Sequence, residues 1–268
     1  MLTAAILIPL VVAAVLVLDT GYVGLLLAAI VLGGAWEWSA LVSLRAPWAR
    51  WLYTLTLLPL LYTAHRVLDV PGGLLGILGA GLAWWLVALV LVLRLQRSGV
   101  GPRLPAWIGI VIGWLLLVPP WVGLAYLHGQ LEHGPTWVIF VLALTWLADS
   151  GAYLAGRRWG RRRMAARVSP AKTWEGVAGG LLAAGVLALA GGMAVATGVG
   201  HLLLFVLLCL ATVGASVLGD LAESLFKRQA GVKDSGRLLP GHGGVLDRID
   251  SLTAAAPVFA FGMYWWGT

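Results

Sequence analysis

Nine apolar runs, joined by connectors too short to hold a separate soluble domain, limit what this chain can fold into. They cover roughly 2–18, 21–43, 48–65, 72–94, 106–127, 135–155, 175–197, 201–225 and 249–266. A helix needs about 17–25 mainly apolar residues to cross a bilayer. The runs are continuous rather than alternating, which argues against a transmembrane β-barrel. Charged residues are 11% of the chain and mean hydropathy is +0.93, values that exclude a soluble protein of this length. The expected fold is an all-α membrane protein, a polytopic bundle of about nine transmembrane helices, with residues 1–268 as one integral membrane domain.

The first run lacks a basic leading segment and a small-residue cleavage site, so it reads as a helix rather than a removed signal peptide. Cys209 lies in an apolar run with no partner cysteine and reads as a small buried hydrophobe.

With the nine runs taken as helices, 17 of the 18 basic residues fall on one side and only Arg66 on the other. By the positive-inside rule the basic side is cytoplasmic, with the N-terminus inside and the C-terminus outside. These charges are juxtamembrane. They suit anionic lipid headgroups and nucleotide phosphates, and no nucleic-acid partner is expected. A homodimer is left open.

The acids divide the chain. Residues 1–134 hold Asp19, Glu37, Asp69 and Glu132, whereas 135–268 hold Asp149, Glu175, Asp220, Glu223, Asp234, Asp247 and Asp250. All seven of the second group fall at or near the basic ends of runs six to nine. The first half therefore reads as scaffold and 135–268 as the catalytic half. Glu37, between Trp36 and Trp38, reads as structural, paired with a basic residue of another helix or reaching the interface.

Gly176, Gly180 and Ala184 have the small-xxx-small spacing of close helix packing. Pro119 and Pro120 are expected to kink or break the fifth helix. Trp48, Trp51, Trp107, Trp265 and Trp266 fall near run ends and read as interfacial anchors.

The stretch 224–250, SLFKRQAGVKDSGRLLPGHGGVLDRID, is a polar, glycine-rich block in an otherwise apolar chain. Just before and inside it, Ser216, Asp220, Glu223 and Lys227 share one helix face, with Ser224 beside it. Two carboxylates on such a face suit a hard cation such as Mg²⁺, which takes oxygen ligands and substrate phosphates. Asp247 and Asp250 share a face at the start of run nine, and His242, Gly243 and Gly244 precede them. Glycines there allow a tight turn and close approach to a phosphate. Lys227, Arg228, Lys233 and Arg248 are too many within 22 residues to serve orientation alone, and phosphate neutralisation is their positive reading.

A second block, 149–176, places Asp149 on a helix face with Thr145 and Tyr153, then Arg157, Arg158, Arg161, Arg162 and Arg163, which read as a solvated, lipid-facing run. Ser169-Pro170-Ala171-Lys172-Thr173-Trp174-Glu175-Gly176 follows and carries helix-start signals, so a phosphate fits between Lys172 and a helix N-terminus.

The first block resembles the signature of the CTP-dependent phosphatidate cytidylyltransferases. The pattern of Ser, Lys-Arg, Lys-Asp, a small residue, an apolar residue with Pro, His-Gly-Gly and Asp-Arg-x-Asp is met by Ser224, Lys227, Arg228, Lys233, Asp234, Gly236, Leu239, Pro240, His242, Gly243, Gly244, Asp247, Arg248 and Asp250. The second block is similar to that family's Asp-Ser-x-Ala-Tyr and Ser-Pro-x-Lys-Thr-x-Glu-Gly stretches.

The resemblance implies that CTP and phosphatidate give CDP-diacylglycerol and pyrophosphate in a membrane-embedded enzyme of phospholipid biosynthesis. On that basis Asp220, Asp247, Lys227 and Arg248 are expected to be catalytic. Lys172, Ser169, Thr173, Arg228, Lys233, His242, Gly243 and Gly244 are expected to bind substrate. Asp220 and Asp247 are expected to hold Mg²⁺, helped by Asp149, Glu223 or Asp250, with a second cation left open. Two rivals are a CTP-dependent lipid-alcohol kinase, which would release CDP, and a transporter whose acids line a pathway.

Overall fold

The computed structural model describes residues 2–44, 46–99, 101, 104–238 and 243–266. Among these residues nine helices run in sequence order. They are α1 (Leu2–Val17), α2 (Thr20–Leu41), α3 (Pro47–Val67), α4 (Gly73–Ser98), α5 (Ala106–Gln130), α6 (Gly134–Trp159), α7 (Trp174–Val195), α8 (Val199–Gln229) and α9 (Leu246–Trp266). Each apolar run of the sequence corresponds to one helix. Six of them, α2 and α4 to α8, are long and apolar enough to cross a membrane. The chain is an integral membrane protein on that evidence.

The remaining three differ for readable reasons. At 16 residues, α1 is short. Polar groups dilute α3, among them Arg50, Thr54, Thr56, Thr63, His65 and Arg66. The helix α9 carries Asp247, Arg248, Asp250, Ser251 and Thr253, and it is the most enclosed of the set: Ala254, Ala255, Ala256, Phe259 and Ala260 are all fully buried. A helix surrounded by protein does not need a lipid-compatible face.

The outer helices show the reverse pattern. Leu182, Val186 and Met193 on α7 are exposed, as are Leu86, Val87 and Val90 on α4 and Leu203, Leu204 and Leu207 on α8. Apolar surface this extensive is compatible with lipid and not with water. Trp48, Trp51, Trp107 and Trp265 are exposed near helix ends, as expected of interfacial anchors, while Trp266 turns inward against Phe205.

The pairing of α6 with α7 depends on small residues. A Cβ at Gly180 would meet the carbonyl oxygen of Ala148 at 2.7 Å, and one at Gly151 would meet that of Gly179 at 2.7 Å. Gly176 and Ala184 are buried on the same face. The two backbones approach so closely that only glycine fits.

Two local features add detail to the expected bundle. Pro119 and Pro120 do not break α5, which runs from Ala106 to Gln130; Gly81 on α4 leaves room for the Pro119 ring. The fold is not purely helical, because a two-stranded antiparallel hairpin, β1 (Arg163–Ala165) and β2 (Ser169–Thr173), joins α6 to α7. Glu175 holds the hairpin's entry by accepting the backbone N–H groups of Arg161 and Arg162. The Thr173 hydroxyl caps α7 by accepting from Gly176 N at 3.1 Å.

Candidate active site

Four elements bring their polar residues to one end of the bundle: the hairpin, the last turns of α8, the loop after it and the first turns of α9. The α8 stripe forms as the spacing requires, since the helix continues to Gln229 and carries Lys227 one turn beyond Glu223. Three ion pairs define the cluster. Lys172 Nζ lies 2.7 Å from Asp220 Oδ2, and Lys227 Nζ lies 2.7 Å from both Glu223 Oε2 and Asp247 Oδ1. The pairs around Lys227 are sheltered, with side chains 13% (Lys227), 2% (Glu223) and 8% (Asp247) exposed.

Hydrogen bonds fix the acids further. Ser224 Oγ donates to Asp220 Oδ1 at 3.3 Å. Asp247 Oδ2 accepts from Ser235 N at 3.0 Å and from Gly244 N at 2.8 Å. Asp250 faces Asp220 and Glu223, and Asp149 on α6 is within electrostatic reach of Lys172 and Asp220. Three of these five carboxylates pair with the two ammonium groups. That gathering of carboxylate oxygens, with Glu223 and Asp250 in hydrogen-bond contact, has the donor chemistry a hard divalent cation takes. No group of three or more His, Cys, Asp or Glu side chains among the described residues is arranged as a ready-made metal centre.

The family model of the cytidylyltransferases matches residues 1–266. This chain belongs to the cytidylyltransferase family. Two relatives extend over nearly the whole length. The phosphatidate cytidylyltransferase of Pseudomonas aeruginosa is 43% identical over 270 residues, covering 99% of this chain and 97% of its own. That of Haemophilus influenzae is 40% identical over 278 residues, covering 97% and 96%. A third, from Brucella suis, is 47% identical over 150 residues, 53% of this chain and 52% of its own.

Within this cytidylyltransferase the structure brings together Asp149, Lys172, Asp220, Glu223, Lys227, Asp247 and Asp250. Thr173 and Ser169 lie on the same hairpin as Lys172, with the Thr173 hydroxyl engaged as the α7 cap and Ser169 paired in register with Ala165. Arg228, Lys233 and Arg248 are exposed and form no ion pair among the described residues. Gly243 has φ +79, the left-handed conformation glycine tolerates, and the N–H of Gly244 is directed at Asp247. His242, like Leu239 and Pro240, lies outside the described residues.

Sequence reasoning missed Ser235 and the partners of Glu37. Glu37 forms no ion pair among the described residues, and its side chain is enclosed by protein. It is 2% exposed, and its Oε2 accepts from Ser235 Oγ at 3.0 Å and Leu246 N at 2.8 Å. Its isolation between two tryptophans on an apolar helix was the available signal; its partners, 198 and 209 residues away, gave none.

Proposed function

We propose that this cytidylyltransferase joins the cytidylyl group of CTP to phosphatidate, giving CDP-diacylglycerol and pyrophosphate in phospholipid biosynthesis. The observation that carries this reading is the Lys172–Asp220 and Glu223–Lys227–Asp247 network at one end of membrane helices. Such a cluster can meet a soluble polyanion and a lipid headgroup at once. The near-full-length relatives that bear this activity in their names support it.

A phosphatidate oxygen attacks the α-phosphorus of CTP, the bond from that phosphorus to the bridging oxygen breaks, and pyrophosphate departs with the electron pair. The phosphomonoester carries about −1.5 to −2 charge at neutral pH, so no general base is required. Lys172, Lys227, Arg228, Lys233 and Arg248 neutralise and orient phosphates, the larger part of catalysis in such transfers. Asp220 and Asp247 are the proposed Mg²⁺ ligands, with Asp149, Glu223 and Asp250 available to them or to a second cation. When bound, Mg²⁺ supplies charge neutralisation at the triphosphate. The excess of basic residues on the loops at this end supports a cytoplasmic site, with the N-terminus inside and the C-terminus outside. Acyl chains enter sideways between helices.

The test is product analysis. Purified protein with α-labelled CTP, phosphatidate and Mg²⁺ is expected to place the label in lipid and to release one pyrophosphate per lipid labelled. Release of labelled CDP with no label in lipid would instead indicate a kinase.

A further inference from the structure

Ser235 and Gly236, after α8, and Gly244 and Leu246, at the start of α9, meet a carboxylate contributed from far away in the sequence. Glu37, on α2, gives Oε2 to two donors, Ser235 Oγ and Leu246 N. Both are tied to Asp247. Ser235 N donates to Asp247 Oδ2 at 3.0 Å, Asp247 N donates back to Ser235 Oγ at 3.3 Å, and Leu246 is its chain neighbour. Glu37 and Asp247 therefore share one serine. Glycine forms the walls of the cradle, since a Cβ at Gly236 or at Gly244 would collide with the Glu37 carboxylate. Gly244 in turn gives its N–H to Asp247.

A buried acid in a membrane helix with no cationic partner among the described residues is costly, and packing alone would be served better by an apolar side chain. The cost is offset only if the carboxylate organises something. What it touches is the backbone and hydroxyl that aim Asp247 at Lys227. We propose that Glu37 is a positioning residue for cytidylyl transfer, fixing through Ser235 and Leu246 the loop that orients the Asp247 carboxylate. The inference rests on the role proposed for Asp247.

The experiment is a double-mutant cycle in detergent with Glu37→Gln, Ser235→Ala and the combination, Asp247→Asn being assayed in parallel. Loss of an orienting partner of this kind lowers activity by about 10–100-fold. Each single variant is expected to lose turnover in that range while KM for CTP changes by less than about threefold. The double variant is expected to fall little further than the worse single, since both act along one path. Ser235→Ala keeps the bond from Leu246 to Glu37, so it tests the relay even if Glu37→Gln fails to fold. Wild-type turnover in a folded Glu37→Gln or in Ser235→Ala, or losses that multiply in the double variant, would overturn the proposal. Asp247→Asn separates the two levels: if it is fully active, the role of Asp247 itself fails. If it is inactive while Glu37→Gln is normal, only the role of Glu37 fails.

Discussion

The ammonium of Lys172 lies 2.7 Å from Oδ2 of Asp220, joining the hairpin after α6 to the stripe on α8. Both side chains stay partly open, at 22% and 30% exposure, so the pair can open to admit phosphate. Lys172→Ala removes a charged donor from the site. A hydrogen bond to a charged group contributes about 1.5–3 kcal/mol, so KM for CTP or phosphatidate should rise roughly 10–100-fold with the fold intact. Steady-state kinetics in mixed micelles read this directly, and unchanged constants would remove Lys172 from the site.

Lys227 bridges two sheltered carboxylates on different helices. Lys227→Met leaves Glu223 and Asp247 facing each other without their cation. Breaking a buried pair in this way costs about 3–5 kcal/mol. The thermal midpoint in detergent should fall by several degrees and turnover should vanish. A variant with wild-type stability would show that the bridge is not holding α8 to α9.

The Mg²⁺ role proposed for Asp220 and Asp247 predicts that turnover depends on added cation. Treatment with EDTA should abolish turnover, and Mg²⁺ should restore it without refolding. Full activity in chelator would remove the metal from the account.

The α6–α7 contact depends on backbone approach. Gly180→Val forces a side chain against the Ala148 carbonyl, and overpacking of this kind costs about 1–3 kcal/mol. At Gly185 on the same helix, an added Cβ would meet nothing within 4 Å. Gly185→Ala should therefore leave the thermal midpoint unchanged or raised, since alanine is favoured over glycine in a helix by about 1 kcal/mol. Equal behaviour of the two variants would contradict the packing assignment.

Much of this was legible in the sequence, for physical reasons. Continuous apolar runs of bilayer length have few alternatives to helix, so the nine runs became nine helices among the described residues, within a few residues at their ends. The stripe Asp220, Glu223, Lys227 was legible because helix spacing alone sets it. The hairpin was not, since strands as short as Arg163–Ala165 and Ser169–Thr173 offer no period to read. Pro119 and Pro120 lie within a continuous α5, and the close approach of the Pro119 ring to Gly81 on α4 was not legible because only tertiary structure brings the two together. The partners of Glu37 were hidden for the same reason: Ser235 and Leu246 lie in the other half of the chain, beyond the reach of any local pattern.

The most direct test of the central claim is turnover of Asp220→Asn and Asp247→Asn, each purified in detergent and checked for a monodisperse, folded state. These changes keep side-chain shape and remove one negative charge apiece from the proposed reacting centre. Both variants are expected to fold and to incorporate no cytidylyl label into lipid at any CTP or Mg²⁺ concentration. Near-normal incorporation by either folded variant would contradict the account.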